Sequence, residues 1–321
     1  MWTYIAKRLL QTIPTLLVIS LMVFSILYMT PGDPVYLMLG ASETQNVDQA
    51  VYDAIRKELG LDDPFLVRYF RFLGKAVRGD LGKSYITRED VFQTVMKRMP
   101  ATLQLTVAAL VVAVLVAIPL GVLAALKQNS IWDNIAVFFS TVGVSLPRFW
   151  FGLVLIIVFA LRLKWLPSYG IGYIDQGLGT VLRHLALPAI SLGLSLAALL
   201  MRMTRSSMVE VLNQDYVKFA RAKGLKERTV ILVHALKNAL IPVITVLGTQ
   251  FGALLGGSVV TETIFAWPGV GRLAVNSIAR RDFPMIQGNT LIICAGFLFV
   301  NLIVDILYTV LDPRITYASK K

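Results

Sequence analysis

Cysteine, histidine and acidic residues are all scarce in this chain, and each scarcity closes off some chemistry. Its one cysteine, Cys294, lies inside an apolar run, so no disulfide can form within the chain and cysteine usage is silent on redox compartment. The two histidines, His184 and His234, are far apart and have no cysteine or carboxylate neighbours at metal-ligand spacing. No metal site is expected. A nucleophile with its base and orienting group is also missing, which leaves an enzymatic reading with no residues to carry it. Charged residues are only 16% of the chain, against 56% hydrophobic residues and a mean hydropathy of +0.69. That is more apolar material than one soluble core of 321 residues needs, so burial in a bilayer is the first inference. The net charge of +12 would suit nucleic acid in a soluble protein, but in a membrane protein it marks cytoplasmic loops. We expect no nucleic-acid partner.

Residues 9–29 form an apolar run behind Lys7 and Arg8. It is long for a signal core and no small-x-small cleavage site follows in "LYMTPGD", which predicts a retained first span. Five further runs, 101–126, 134–161, 181–203, 239–260 and 285–310, reach the roughly 20 residues needed to cross about 30 Å of hydrocarbon. The third span contains Pro147 and Arg148; halves of about 14 residues would each reach only about 21 Å, so a single kinked span is expected. Six spans put both termini in the cytoplasm. The 202–237 loop supports this with eight Lys/Arg against three Asp/Glu, and Lys127 and the Arg314, Lys320 and Lys321 tail fall on the same side. Against it, Arg162, Lys164, Arg183, Arg272, Arg280 and Arg281 fall outside.

Residues 30–100 carry ten basic and ten acidic residues, and a segment this long translocates largely regardless of charge. It is expected to be a small extracytoplasmic domain of short helices, one over 48–59 with Val51, Ile55 and Leu59 on one face. Its "GKS" at 82–84 imitates a phosphate-binding loop, but the glycine required five positions before Gly82 is Val77. The resulting division is 1–29 for the N-terminus and first span, 30–100 extracytoplasmic, 101–311 a five-span core with a loop at 204–238, and 312–321 a cytoplasmic tail. No low-complexity tract or internal repeat is visible.

One cytoplasmic stretch departs from the apolar pattern. In "DYVKFARAKGL", residues 215–225, the apolar Tyr216, Phe219 and Ala220 continue a helical spacing begun by Met208, Val211 and Leu212, while Lys218, Arg221 and Lys223 face outward. Asp215 is suited to cap a short helix and Gly224 to end it in the left-handed conformation. On composition alone this is a basic interfacial helix.

The stretch, with "HALKNALIP" at 234–242, resembles the cytoplasmic loop of permease subunits of binding-protein-dependent ABC importers, and is most similar to the dipeptide and oligopeptide branch. "MTPGDP" (29–34), "RGDLGKS" (78–84), "SLPRFW" (145–150), "MTRSSM" (203–208), "TETIFAWPGVGR" (261–272) and "NLIVDILY" (301–308) look like signatures of that branch in its order, over nearly the whole chain. Ala220 and Gly224 match the spacing of the family loop's second alanine and glycine. Lys218 stands where many members have glutamate, and the distance from Gly224 to Pro242 is longer than the general spacing; both departures are common in the peptide branch. The resemblance implies an all-α polytopic membrane protein, with six transmembrane helices of the type I importer permease fold, in a bacterial or archaeal cytoplasmic membrane. It implies a homologous second permease, two ABC ATPases, an extracytoplasmic solute-binding protein and a peptide cargo, with ATP and Mg bound by the ATPases and no cofactor in this chain. It also implies that Asp215, Tyr216, Phe219, Ala220, Arg221, Ala222 and Gly224 form the ATPase-coupling helix. Glutathione, a nickel chelate or a sugar is the runner-up cargo; an ion-gradient transporter and a receptor without transport are the readings from other classes.

Within the spans, Gly248, Gly252 and Gly256 stack at four-residue spacing, for close helix packing or for a pathway. Thr249, Gln250 and Ser258 are candidates to line a conduit, as is Arg148, whose alternative role is to pair with a carboxylate or carbonyls of the second permease. Asp305 shares a face with Asn301, and a structural clasp to Arg202 or Arg205 is expected.

Overall fold

Apolar period and proline placement together set the order of helices. The computed structural model describes residues 2–29, 33–39 and 48–311, excepting the side chains of residues 2–9, 37, 305 and 307–311. Residues 30–32 of "MTPGDP", the charged tail 312–321 and the Asp305 side chain therefore lie outside the described residues. The first span is α1 (Trp2–Met29); three shorter helices follow, α2 (Pro34–Leu39), α3 (Gln49–Glu58) and α4 (Phe65–Ala76). Next come α5 (Val91–Leu126), α6 (Ile131–Ser145), and α7 (Arg148–Leu155), which runs on through a π turn, Ile156–Arg162. The chain then forms α8 (Leu178–Leu212), α9 (Asp215–Ala222), the single turn α10 (Glu227–Thr229) and, through a π turn at Val230–Ala235, α11 (Leu236–Gly257). It closes with α12 (Val259–Ile264), α13 (Val270–Ala279) and α14 (Phe283–Leu311). There is no strand among the described residues. Five helices are long and apolar enough to cross a membrane, six if α6 and α7 make one bent span.

The third span is broken rather than kinked. Leu146 and Pro147 are both extended, and the helix axes on either side differ by 104°. The residue before a proline is pushed out of the helical region, so Leu146 ends α6 and Pro147 becomes the N-cap of α7 instead of bending a continuous helix. The two halves nevertheless track one neighbour. Asp133 meets Arg205, a Cβ on Gly143 would lie 2.8 Å from Ala198, Gly152 lies against Ser191, and Leu155 packs with Leu187. From Arg205 to Leu187, α8 rises about 27 Å, so the pair traverses close to a full hydrocarbon thickness.

The core is the seam between α5 and α8. Ala109, Ala113, Ala117 and Gly121 recur every four residues on α5 and are buried, which lets α8 approach at Gly193 and Thr204. Dispersion contacts between close backbones hold helices together where lipid removes the hydrophobic drive. The glycines expected to be special, Gly248, Gly252 and Gly256 of α11, face Val304, Asn301 with Phe297, and Ile293 of α14, where they let the two helices pack. α5 begins ten residues before the expected start of the second span and runs through Pro100.

The 34–90 segment docks on α1 and on the start of α14. Asp48 caps α3 by accepting from the Ala50 amide at 2.9 Å. Tyr69 of α4 is buried against Phe24 of α1, and its hydroxyl meets Ser20 Oγ at 2.8 Å. The serine of "GKS" serves the structure, since Ser84 Oγ donates to Asp282 at 2.5 Å while the Tyr85 amide donates to the other carboxylate oxygen at 3.1 Å.

A Cβ on Gly193 would lie 2.7 Å from the Ala109 carbonyl and 2.8 Å from Val112. Gly193→Val should therefore destabilise the fold by about 1–3 kcal/mol, the usual cost of overpacking. Gly296→Ala, with nothing within 4 Å, should leave thermal unfolding of the detergent-purified chain unchanged or raised. Equal melting of both variants would remove the seam from its central role.

Candidate functional site

α9 is separated from α8 by two residues, Asn213 and Gln214, and stands on a small core of its own. Val217 and Ala220 are buried against Val230, with Val211 and Leu212 packed around them. This changes two expectations. Asp215 is not the cap, because Gln214 occupies that position and Asp215 lies in the first turn, exposed and 3.0 Å from Lys218 Nζ. Ala220 is turned into the chain's own core, so it is not a surface for another protein. The exposed residues of α9 are Asp215, Tyr216, Lys218, Phe219, Arg221 and Ala222, with Leu225 just beyond. Phe219 is 62% exposed, and Lys223 Nζ lies 4.8 Å from its ring centre.

The posture of this helix is fixed at both ends. Arg221 makes a forked pair with Glu227, with Nη2 to Oε1 at 2.7 Å and Nε to Oε2 at 3.2 Å. The Asn238 amide donates to the Tyr216 hydroxyl at 2.9 Å, tying α9 to α11. Gly224 sits at φ +77° with open space where a Cβ would be, so backbone conformation and not room requires glycine there. The result is an amphipathic knob with an exposed aromatic and cationic face.

Other expected residues fall elsewhere. Thr249 is exposed on α11, its hydroxyl donating to the Val246 carbonyl at 2.9 Å, and Gln250 is half-buried beside it. Arg148 is the first residue of α7, exposed at the break, with no carboxylate in ion-pair distance among the described residues. Arg205 is engaged with Asp133, its Nε and Nη2 reaching Oδ1 and Oδ2 at 2.5 and 2.7 Å, and Arg202 is exposed; the expected clasp to Asp305 falls on a side chain outside the described residues. Asp133 escapes a reading of the sequence because it sits near the start of an apolar run, 72 residues from its partner; the signal available is an acidic residue where an apolar span begins.

Ser258 also belongs elsewhere. It is 1% exposed, so it does not line an open conduit, and its Oγ donates to Glu262 Oε1 at 2.8 Å. Glu262 is completely buried and has no lysine or arginine within ion-pair distance among the described residues. Thr102 Oγ1 of α5 donates to the same Oε1 at 2.8 Å, and the Arg272 amide donates to Oε2 at 2.8 Å. That amide is in the first turn of α13, so the carboxylate occupies the positive end of a ten-residue helix. Gly269 and Gly271 are required because a Cβ on either would press on the carboxylate. Trp267, fully buried, donates from Nε1 to the Ala101 carbonyl at 2.8 Å, and Asn289 of α14 donates to the Val270 carbonyl at 2.9 Å. "TETIFAWPGVGR" thus closes one end of the bundle, around a buried carboxyl group held by two hydroxyls and a backbone amide.

Sequence comparison agrees with this architecture over both halves. A family model described as binding-protein-dependent transport system inner membrane component matches residues 117–317, and its N-terminal companion matches residues 1–106. The glutathione transport system permease protein GsiC of Escherichia coli O6:H1 is 42% identical over 317 residues, covering 99% of this chain and 100% of the relative. Proteins of the same description from Shigella dysenteriae serotype 1 and Shigella flexneri serotype 5b are 41% identical over the same coverage. Among solved structures, an amino acid ABC transporter with histidines is 18% identical, with a TM-score of 0.48 over 69% of this chain and 94% of that one.

Glu262→Ala would strand two buried hydroxyls and one amide, each costing about 1–3 kcal/mol, whereas Glu262→Gln keeps one acceptor oxygen and should lose less. The order of thermal stability in detergent should be wild type, Gln, Ala. An Ala variant as stable as wild type would mean that the carboxylate holds nothing together.

Proposed function

The chain belongs to the family of binding-protein-dependent transport system inner membrane components, and from that premise we propose that it forms half of the translocation path of an ATP-driven importer of dipeptides or oligopeptides. It is a multi-pass inner-membrane permease subunit of an ABC transporter and not an enzyme. A homologous permease completes the path, two ATPases that bind ATP and Mg drive it, and an extracytoplasmic binding protein delivers cargo. Both termini and α9 lie on the cytoplasmic side.

The observation that carries this reading is α9. A helix that keeps Val217 and Ala220 for its own core and presents Tyr216, Phe219 and Arg221 to solvent is suited to fill a groove on another protein. Closure of the ATPase dimer draws two such helices together, and because α9 rests on the rigid α8 the motion passes into the bundle as a switch between inward and outward opening. Glutathione is the second reading, favoured by the description its relatives carry. It fits the same machinery equally well, and competition of labelled dipeptide uptake by glutathione and by longer peptides separates the two.

Phe219→Asp and Gly224→Pro should leave the chain inserted but remove the copurifying ATPases and solute uptake, since proline cannot reach the φ of +77° at that site. Val217→Asp should instead damage the loop itself, by burying a charge in its core. Wild-type uptake and copurification in both Phe219→Asp and Gly224→Pro would exclude α9 as the coupling element.

Arg148 is proposed to meet cargo carboxylates in passing. A guanidinium at membrane depth costs at least about 2.5–3.5 kcal/mol on insertion scales, and among the described residues of this subunit no carboxylate offsets it. Arg148→Gln and Arg148→Glu should slow uptake of a free peptide more than of its C-terminal amide, with Arg148→Lys intermediate. Equal loss for both ligands would assign Arg148 to pairing with the second permease.

A further inference from the structure

A cavity of about 360 Å³ opens where α1, α4 and the start of α14 meet, lined by Phe24, Tyr28, Arg68, Tyr85, Phe283 and Gln287. Its depth in the membrane follows from the spans around it. The apolar part of α1 ends at Met29 after 20 residues, about 30 Å of helix, and the apolar part of α14 begins at Phe283. Both boundaries fall at the cavity, which places it at headgroup level. α4 bounds it with Leu66, Val67 and Phe70 exposed beside Arg68, Arg71 and Lys75, the composition of a helix lying in a membrane surface. The outer face of α1 is almost unburied, so the cavity adjoins lipid.

The lining is rich in donors. Arg68 lies 5.3 Å from the centre of the Tyr28 ring and has no carboxylate in ion-pair distance among the described residues. Gln287 is 9% exposed, and its side-chain nitrogen is buried without an acceptor. Burial holds the Tyr85 hydroxyl above its ordinary pKa, so it remains a donor. The acidic member, Asp33, is engaged: one oxygen accepts from the Val35 amide at 2.8 Å, the other accepts from the Tyr52 hydroxyl, and Arg56 Nη1 lies 3.8 Å away. The unmatched charge is thus positive and the unmatched polar group a donor, beside an aromatic wall.

We propose that this cavity is a binding site for the headgroup of an anionic phospholipid, with the phosphate at Arg68 and Gln287 and the acyl chains along α1. The inference is independent of which cargo is carried. It is tested on the full chain extracted from its native membrane in mild detergent, by mass spectrometry that preserves bound lipid, with added phosphatidylglycerol or phosphatidylcholine. Wild type should retain phosphatidylglycerol preferentially. Arg68→Gln should reduce that preference about fivefold, the factor one basic side chain contributes to attracting anionic lipid. Gln287→Leu should weaken retention, while Arg71→Gln, whose native side chain already pairs with Asp63 at 2.6 Å, should not. Equal retention of the two lipids, or a preference untouched by Arg68→Gln, overturns the proposal. Displacement by glycerol phosphate as readily as by short-chain phosphatidylglycerol would assign the site to a soluble anion and overturn it as well; so would displacement by a dipeptide, which would make it a cargo site.

Discussion

The fold turns on one buried carboxylate. Glu262 has no cation beside it among the described residues, and a buried carboxyl group left without partners is costly, so the fold depends on its three donors being in position. Thr102 Oγ1 is constrained to give its proton to Glu262, because the Val270 amide at 2.9 Å occupies its acceptor side. The Arg272 amide is fixed by α13, and Ser258 by the turn that ends α11. The joint is therefore directional: it binds α5 to α12 and α13, while Asn289 and Trp267 extend it to α14 and back to α5. Neutral donors are well suited to such a joint, since they satisfy the carboxyl oxygens without placing a long flexible side chain in a crowded corner.

At the other end of the bundle the logic is reversed. α9 leans on a few small apolar residues and is otherwise held by exposed polar contacts, so it can be engaged from outside without disturbing the seam of α5 and α8. α9 follows directly on α8, one continuous helix of 35 residues that packs closely on α5 through alanine and glycine contacts. The least continuous element beside α8 is the α6–α7 pair.

The spans are legible in the sequence because they depend on composition along the chain, and the amphipathic α9 with its terminal Gly224 is legible because it depends on local spacing. What depends on a partner far along the chain is not. The glycines of α11 stand out in the sequence, yet the seam that organises the bundle uses the less conspicuous alanines of α5. Asp133 and Arg205 lie 72 residues apart, so neither predicts the other. Glu262 is visible only as part of a motif; the pair of glycines seven and nine residues after it is the sign that backbone must approach a side chain closely there. Pro147 marks an interruption, as its position in the apolar run suggests, but a break and not a kink, because the effect of proline on the preceding residue outweighs its effect on a helix that never forms across it.

Ionisable groups along the spans divide by how their charge is met. Glu262 is met by two hydroxyls and an amide and Asp133 by the fork of Arg205, both inside the subunit. Arg148 is met by no carboxylate among the described residues, at the one point where the third span is discontinuous. Internal pairs hold a shape; Arg148, exposed beside the break, takes no part in one among the described residues. Its location follows from the same Leu–Pro step that breaks the helix, since ending α6 at Ser145 is what brings Arg148 to the exposed first turn of α7. Sequence and backbone therefore converge in placing an exposed cation at the break of the third span.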